Sequence, residues 1–310
     1  MQNDSISVVF PLIAIMLSGY LAGRFKLLPD NASKVISRFV FVIAMPVFIF
    51  ISLAKIPVED IFHWQYLAVL GGGMLAIFLL GLGVAKYAFT DSLTAHSLHA
   101  LTSMFSSTAY IGLPLILIVF GEAGLAPGII GAVITGAVFM PLAIILAEVD
   151  KGRRGPKVVI TSAMAVIRSP LLIATLVGLL TSASGIQVAA PVTAFCELLG
   201  GAFIPCALFA AGLFISQCSV KGEVKEISWL VSVKLLLHPL ITWWLAFYVF
   251  ELEGILPMIA VLQAALPSGV PVFVLAQHYG TFVTQSSAVI VVSTIASMLT
   301  LPVVFFLLAG

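Results

Sequence analysis

The chain has 310 residues, of which 61% are hydrophobic and 9% charged, with a mean hydropathy of +1.21; soluble domains hold roughly half apolar and about a quarter charged residues. A soluble core could not hide that much apolar surface, and a net charge of +1 gives no reason to expect a nucleic-acid partner. The sequence also lacks the alternating segments of about ten residues that mark a membrane β-barrel.

The first apolar block, Ile6 to Ala22, follows a start without a basic region, so it reads as a retained span and not as a cleaved signal peptide. Blocks able to cross a hydrocarbon core of about 30 Å as helix are expected at 6–24, 33–54, 65–89, 97–120, 125–148, 168–184, 192–217, 229–250, 255–277 and 283–309. With the N-terminus outside, Arg24, Lys26, Lys34, Arg38, Lys86, Lys151, Arg153, Arg154, Lys157, Arg168, Lys221 and Lys225 all fall on the cytoplasmic side. Lys55 alone falls opposite, among Asp4, Glu59, Asp60, Glu122, Glu251 and Glu253. The basic-residue count therefore predicts a multi-pass protein of the cell membrane with both termini extracytoplasmic. The most polar stretch, Asp150 to Lys157, reads as part of a cytoplasmic linker, 151–167, between residues 1–150 and 168–310, or as a lipid headgroup patch.

Prolines inside spans are costly enough to serve as register marks. Pro11 with Gly19 answers Pro170 with Gly178 at an offset of 159, and Pro46 answers Pro205 at the same offset. Gly112-Leu113-Pro114 answers Gly269-Val270-Pro271 at 157, and Pro141 answers Pro302 at 161. The register predicts an all-α fold of ten transmembrane helices in two five-helix repeats. Because the unit has an odd number of spans, the copies lie inverted.

The densest helix-breaking runs, 106–114 and 266–271, occupy corresponding places in spans four and nine. Each span is expected to break near the bilayer middle, where unwound backbone is tolerated only against protein or a water-filled cavity. Half-helices restarting near Gly112 and Gly269 would aim their positive ends at the midplane and suit an anion, while freed carbonyls suit a cation. Ser106, Ser107, Thr108, Tyr110, Gly112, Pro114, Gln263, Pro267, Ser268, Gly269 and Pro271 are the candidate substrate-binding residues. Their hydroxyls could instead bond helix carbonyls one turn back.

Ionisable groups within spans are functional candidates. Glu197 fits either a coupling or gating group or an interfacial carboxylate. Lys234 is expected to snorkel to the cytoplasmic interface. His238, one turn deeper, suits a proton relay or a hydrogen-bonded packing role. His96 and His99 are expected in the interface, and Gly19 with Gly23 should pack closely on another helix. Cys196, Cys206 and Cys218 lie along one apolar segment, where neighbours about 15 Å apart cannot form a disulfide, and no spacing suggests a metal or cofactor. No HExxH, GxSxG or GxxxxGK[ST] motif points to an enzyme or an ATP-driven pump. A channel or a membrane receptor is the remaining alternative to a transporter.

Val261-Leu262-Gln263-Ala264-Ala265-Leu266-Pro267-Ser268-Gly269, followed by Phe273-Val274-Leu275-Ala276, resembles the ninth-helix motif of the auxin efflux carrier family. Ser37-Arg38-Phe39-Val40 ahead of Pro46, and Lys234-Leu235 ahead of His238-Pro239, are similar to family segments in helices two and eight. The likeness covers essentially the whole chain, with bacterial members foremost, in an architecture related to bile-acid/sodium symporter-like folds. It implies broken helices four and nine that cross, a scaffold of helices one, two, six and seven, and elevator-type motion of the rest. It further implies a small organic anion as cargo, such as malonate, malate or an auxin-like acid, and a homodimer; His238, Glu197 and the lack of a carboxylate-rich sodium site lead to the expectation of a coupled proton, with sodium the other candidate. The chain departs from many bacterial relatives in carrying Ser107 where they have Asn, and no Asn near Pro271.

Overall fold

The computed structural model describes residues 2–57, 63–89, 92–152, 155–218 and 222–309, with the side chains of 2–9, 156–157 and 309 left aside. Glu59, Asp60, Arg153, Arg154 and Lys221, and the side chains of Asp4 and Lys157, all used in the charge count above, lie outside the described residues. Among the described residues seventeen α-helices follow in chain order: α1 Gln2–Arg24, α2 Ala32–Phe39, α3 Met45–Ala54, α4 Trp64–Val84, α5 Leu93–Met104 and α6 Leu113–Phe120. Next come α7 Leu125–Ile134, α8 Met140–Asp150, α9 Pro156–Ile167, α10 Pro170–Ser184, α11 Ala190–Gly201 and α12 Phe203–Gln217. The last are α13 Val224–Ser232, α14 His238–Trp244, α15 Leu256–Ala265, α16 Val270–Tyr279 and α17 Val283–Ala309. Among the described residues no strand forms, and six helical stretches are long and apolar enough to cross a membrane. The fold is that of a multi-pass helical membrane protein. The stretch expected as a linker is not all loop, since α9 occupies most of it.

Proline shapes these helices by a recurring device. It lacks an N–H and its ring collides with the carbonyl four residues back. Four times a five-residue π-turn ends two residues before a proline: Val40–Ala44 before Pro46, Thr108–Gly112 before Pro114, Thr135–Phe139 before Pro141, and Val233–Leu237 before Pro239. The wider turn shifts the hydrogen-bond register by one residue and carries the carbonyls clear of the ring. Helix ends are set by capping. Ser92 accepts from the Ala95 N–H at 3.1 Å, Ser169 accepts from the Leu172 N–H at 3.2 Å, and α10 and α16 stop at Gly185 (φ 65°) and Gly280 (φ 69°).

The chain folds as two compact units. The first holds Met1–His63, Ala109–Ile130 and Ile167–Gln217; the second holds Trp64–Thr108, Gly131–Val166 and Cys218–Gly310. In the first unit α1 packs along α12 and α10 packs along α3. Gly19 and Gly23 make the close approach expected of them: a Cβ on Gly19 would overlap the Phe209 carbonyl, and one on Gly23 would overlap Ser216 Oγ. Gly178 in turn lies against the Phe50 backbone, where a Cβ would sit 3.0 Å from the Phe50 oxygen. Phe50 and Phe209 stand 159 residues apart, as do Gly19 and Gly178.

The second unit is built round α5, which is buried along nearly its whole length. Its core includes Met74, Phe78, Leu98, Leu101, Met104, Phe139, Leu230, Val272 and Val289. Asp150 at the end of α8 anchors the α5 start by accepting from the Thr94 N–H at 3.0 Å and the Thr94 hydroxyl at 2.6 Å.

Candidate functional site: paired helix breaks around a buried lysine

Two helices of the second unit stop in mid-course and mend each other. α5 ends at Met104 and Phe105 turns extended (φ −68°, ψ 105°). α15 ends at Ala265, and Leu266 (ψ 152°) and Gly269 (ψ 145°) are extended as well. The unwound residues Ser106 and Ser268 meet as an isolated antiparallel bridge. The Ser107 N–H donates to the Pro267 carbonyl at 2.8 Å, and the Gly269 N–H donates to the Phe105 carbonyl at 3.0 Å. Backbone groups that lose helical partners at such a depth must find others, and a two-bond β bridge is how these breaks do it.

The remaining freed groups are met by side chains. In an unbroken α5 the Thr102 carbonyl would accept from residue 106; here it accepts from the Ser268 hydroxyl at 3.1 Å. In an unbroken α15 the Ala264 carbonyl would accept from the Ser268 N–H. That N–H instead donates to Ser293 Oγ on α17 at 3.1 Å, and Ala264 accepts from Lys234 Nζ at 2.6 Å.

Lys234 is the chief departure from the sequence reading. It does not reach the interface: it is 0% exposed. The π-turn before Pro239 carries it, and its ammonium donates to Ser106 Oγ at 2.9 Å and to the Ala264 carbonyl, with His238 Nδ1 3.3 Å away. With an ammonium at Nζ, three N–H groups meet three acceptors, and His238 then accepts through an unprotonated Nδ1. Among the described residues no carboxylate lies within ion-pair distance of Lys234. A buried ammonium without a counter-charge is costly and is kept only where it serves a purpose.

The site residues read from the sequence divide accordingly. Ser106, Ser107, Thr108, Gln263, Pro267, Ser268 and Gly269 come together at the breaks of the second unit, all buried, with Pro271 in the first turn of α16. The Gln263 amide donates to the Tyr66 hydroxyl at 2.7 Å, and its Oε1 occupies the space a Cβ on Gly131 would need. Thr108 is 1% exposed, and its Oγ1 has no hydrogen-bond partner among the described residues. Tyr110, Gly112 and Pro114 belong to the first unit, where the Tyr110 hydroxyl donates to the Ser37 carbonyl at 3.4 Å. The helix after the first break restarts at Thr108 and not near Gly112, because Gly112 is itself helical (φ −68°, ψ −52°) and the π-turn absorbs Pro114. His238 sits beside Lys234. Glu197 lies in the first unit as an exposed ion pair with Lys55 at 2.6 Å, a kind worth about 0–1 kcal/mol.

Sequence reasoning overlooked Tyr66, Thr102, Ser293 and the true place of Lys234. Only Lys234 gave a signal, as a lone cation amid apolar residues one turn before His238-Pro239. The hydroxyls of Thr102 and Ser293 look like the many that bond back to their own helix, as both also do.

Residues 4–305 match the family described as membrane transport protein, the auxin efflux carrier-like family. The chain belongs to that family. A Rhizobium meliloti protein for which malonate transport has been proposed is 25% identical over 303 residues, covering 97% of this chain and 95% of the relative. An uncharacterized transporter of Methanothermobacter thermautotrophicus is 25% identical over 300 residues, 96% of each chain. The uncharacterized transporter YfdV of Escherichia coli is 24% identical over 303 residues, 96% of this chain and 95% of that one. Family and relatives are transporters, so a transported small molecule and a membrane setting follow.

Proposed function

We propose that this family member is a secondary active transporter of a small organic anion, a dicarboxylate or an auxin-like acid, bound at the paired breaks. The observation that carries the reading is the buried Lys234 ammonium at their junction, with no carboxylate within reach among the described residues. An entering carboxylate would supply the missing negative charge, taking a charge-assisted hydrogen bond from Lys234 in place of the neutral Ser106 or His238 contact. The first-turn N–H groups of α16 and the open Thr108 hydroxyl add donors beside it.

The same reading takes the ten spans as two inverted repeats, 1–150 and 168–310, working by elevator-type alternating access in the cell membrane with both termini outside. The matched Gly19–Phe209 and Gly178–Phe50 packing supports the repeat. The composition of the first unit, which gathers the expected spans one, two, six and seven together with 109–130, supports a scaffold role for it. The second unit then carries the site, and the family likeness favours a homodimer.

A thermal-shift titration of the purified chain against mono- and dicarboxylates and indole acids tests the reading. A true ligand at about 100 times its Kd adds about 2.7 kcal/mol of stability. At least one carboxylate should stabilise the wild type and leave Lys234→Met unchanged. No stabilisation by any of them, or equal stabilisation of the variant, would reject this site.

A further inference from the structure

A second buried polar cluster, distinct from the breaks, lies between α5 and α13 in the second unit. His99 on α5 is 0% exposed and Glu226 in the first turn of α13 is 2% exposed. The His99 Nε2 stands 3.9 Å from Glu226 Oε1, too long for a hydrogen bond. The ring is stacked on Phe89 at 5.7 Å between centroids and met edge-on by Phe282 at 5.9 Å. Among the described residues, neither ring nitrogen nor Glu226 Oε1 completes a hydrogen bond of regular geometry. Gly81 on α4 faces the ring, and Gln285 on α17 lies against the carboxyl. The other titratable groups acting on the pair are His96, one turn before His99, and Glu223, just ahead of α13.

Buried polar atoms left unbonded are rare and call for a reason. Here an acid and a base face each other at ion-pair range beside two phenyl rings, about 1 Å beyond hydrogen-bond distance. Counting charges gives the reason. With neutral His99 and ionised Glu226 the pair carries one net negative charge, which burial penalises; one proton taken from water onto the Glu226 carboxylate makes it neutral overall. The new carboxyl O–H lets the gap close into a hydrogen bond donated to the His99 ring.

We propose that His99 and Glu226 form a proton-binding site of the second unit. The inference extends the transporter reading in one respect: if this unit also carries the anion, the proton on the pair moves with it and offsets its charge. Proton binding itself does not depend on that reading.

The test is infrared difference spectroscopy of the full chain in lipid, acidified from about pH 8 to about pH 5, the interval in which imidazoles and buried carboxyls titrate. No transported anion is present, so failure here would leave the carrier reading standing. Acidification should raise the carbonyl band of a protonated buried carboxyl. The band should vanish in Glu226→Gln, persist in Glu223→Gln, and titrate with a midpoint moved by about one pH unit in His99→Gln. Should Glu226→Gln fold poorly, Glu226→Asp keeps a carboxyl and should shift the band position. A band unchanged in Glu226→Gln or Glu226→Asp, or an unmoved midpoint in His99→Gln, would overturn the proposal.

Discussion

Replacing Lys234 with Met separates the two roles a buried cation can have. The substitution keeps most of the side-chain volume and removes the ammonium. Three acceptors lose their donor, Ser106 Oγ, the Ala264 carbonyl and His238 Nδ1, each loss costing about 1–3 kcal/mol if the group stays dry. Against this, the variant no longer buries a lone ammonium, whose desolvation costs several kcal/mol. The terms oppose each other and are of similar size, so folding stability should change by no more than about 2 kcal/mol. Anion binding has no such cancellation: a buried charge pair that loses one partner costs about 2–5 kcal/mol, or roughly 30- to 5,000-fold in affinity. Uptake into proteoliposomes of the carboxylate that stabilises the wild type, and thermal unfolding in detergent, read the two effects on one preparation. Near-native stability with uptake at a few per cent of wild type or below is expected. Native uptake would refute the role given to Lys234, and collapse of the fold would make it a structural pin.

Gly212→Val should prevent stable folding, because its Cβ would overlap the backbone of Met16 and Tyr20, which cannot yield as a side chain can; the cost should reach or exceed the roughly 3 kcal/mol of ordinary overpacking. Gly178→Ala, whose new atom would lie 3.0 Å from Leu53 and Phe50, should lower the thermal midpoint only modestly, and an inverted order of the two would discredit the packing. Glu197→Gln should leave uptake unchanged and stability within about 1 kcal/mol, since both partners of its ion pair are exposed; a large drop in uptake would restore a gating role. Tyr66→Phe removes the hydroxyl that accepts from the buried Gln263 amide and should cost about 1–3 kcal/mol, measured by the same unfolding assay.

Much of this was legible in the residues themselves. Membrane helices follow from apolar length, and breaks within 106–114 and 266–271 are expected from hydroxyl residues, glycine and proline gathered there, while the unwound residues are 105–107 and 266–269. What could not be read was how the breaks are mended. A backbone bridge between Ser106 and Ser268 joins residues far apart in the chain, and the acceptor it leaves for Lys234 is a main-chain oxygen, which no side-chain pattern announces. The restart at Thr108 was missed for a related reason. Gly112 and Pro114 look like breakers, yet one π-turn satisfies the proline and lets the helix run through them. Lys234 was assigned to the interface because a long cation beside a span end usually finds water. Here the rotation imposed by the turn before Pro239 leaves it facing the α15 break.

The central claim is a carrier cycle for an organic anion, and the most direct measurement is initial uptake of radiolabelled mono- and dicarboxylates by proteoliposomes over a range of concentrations. The account predicts that at least one carboxylate enters at a rate that saturates, is competed by unlabelled anion and is lost in Lys234→Met. Flux that rises without saturation and shows unitary current steps would mean a channel and contradict it.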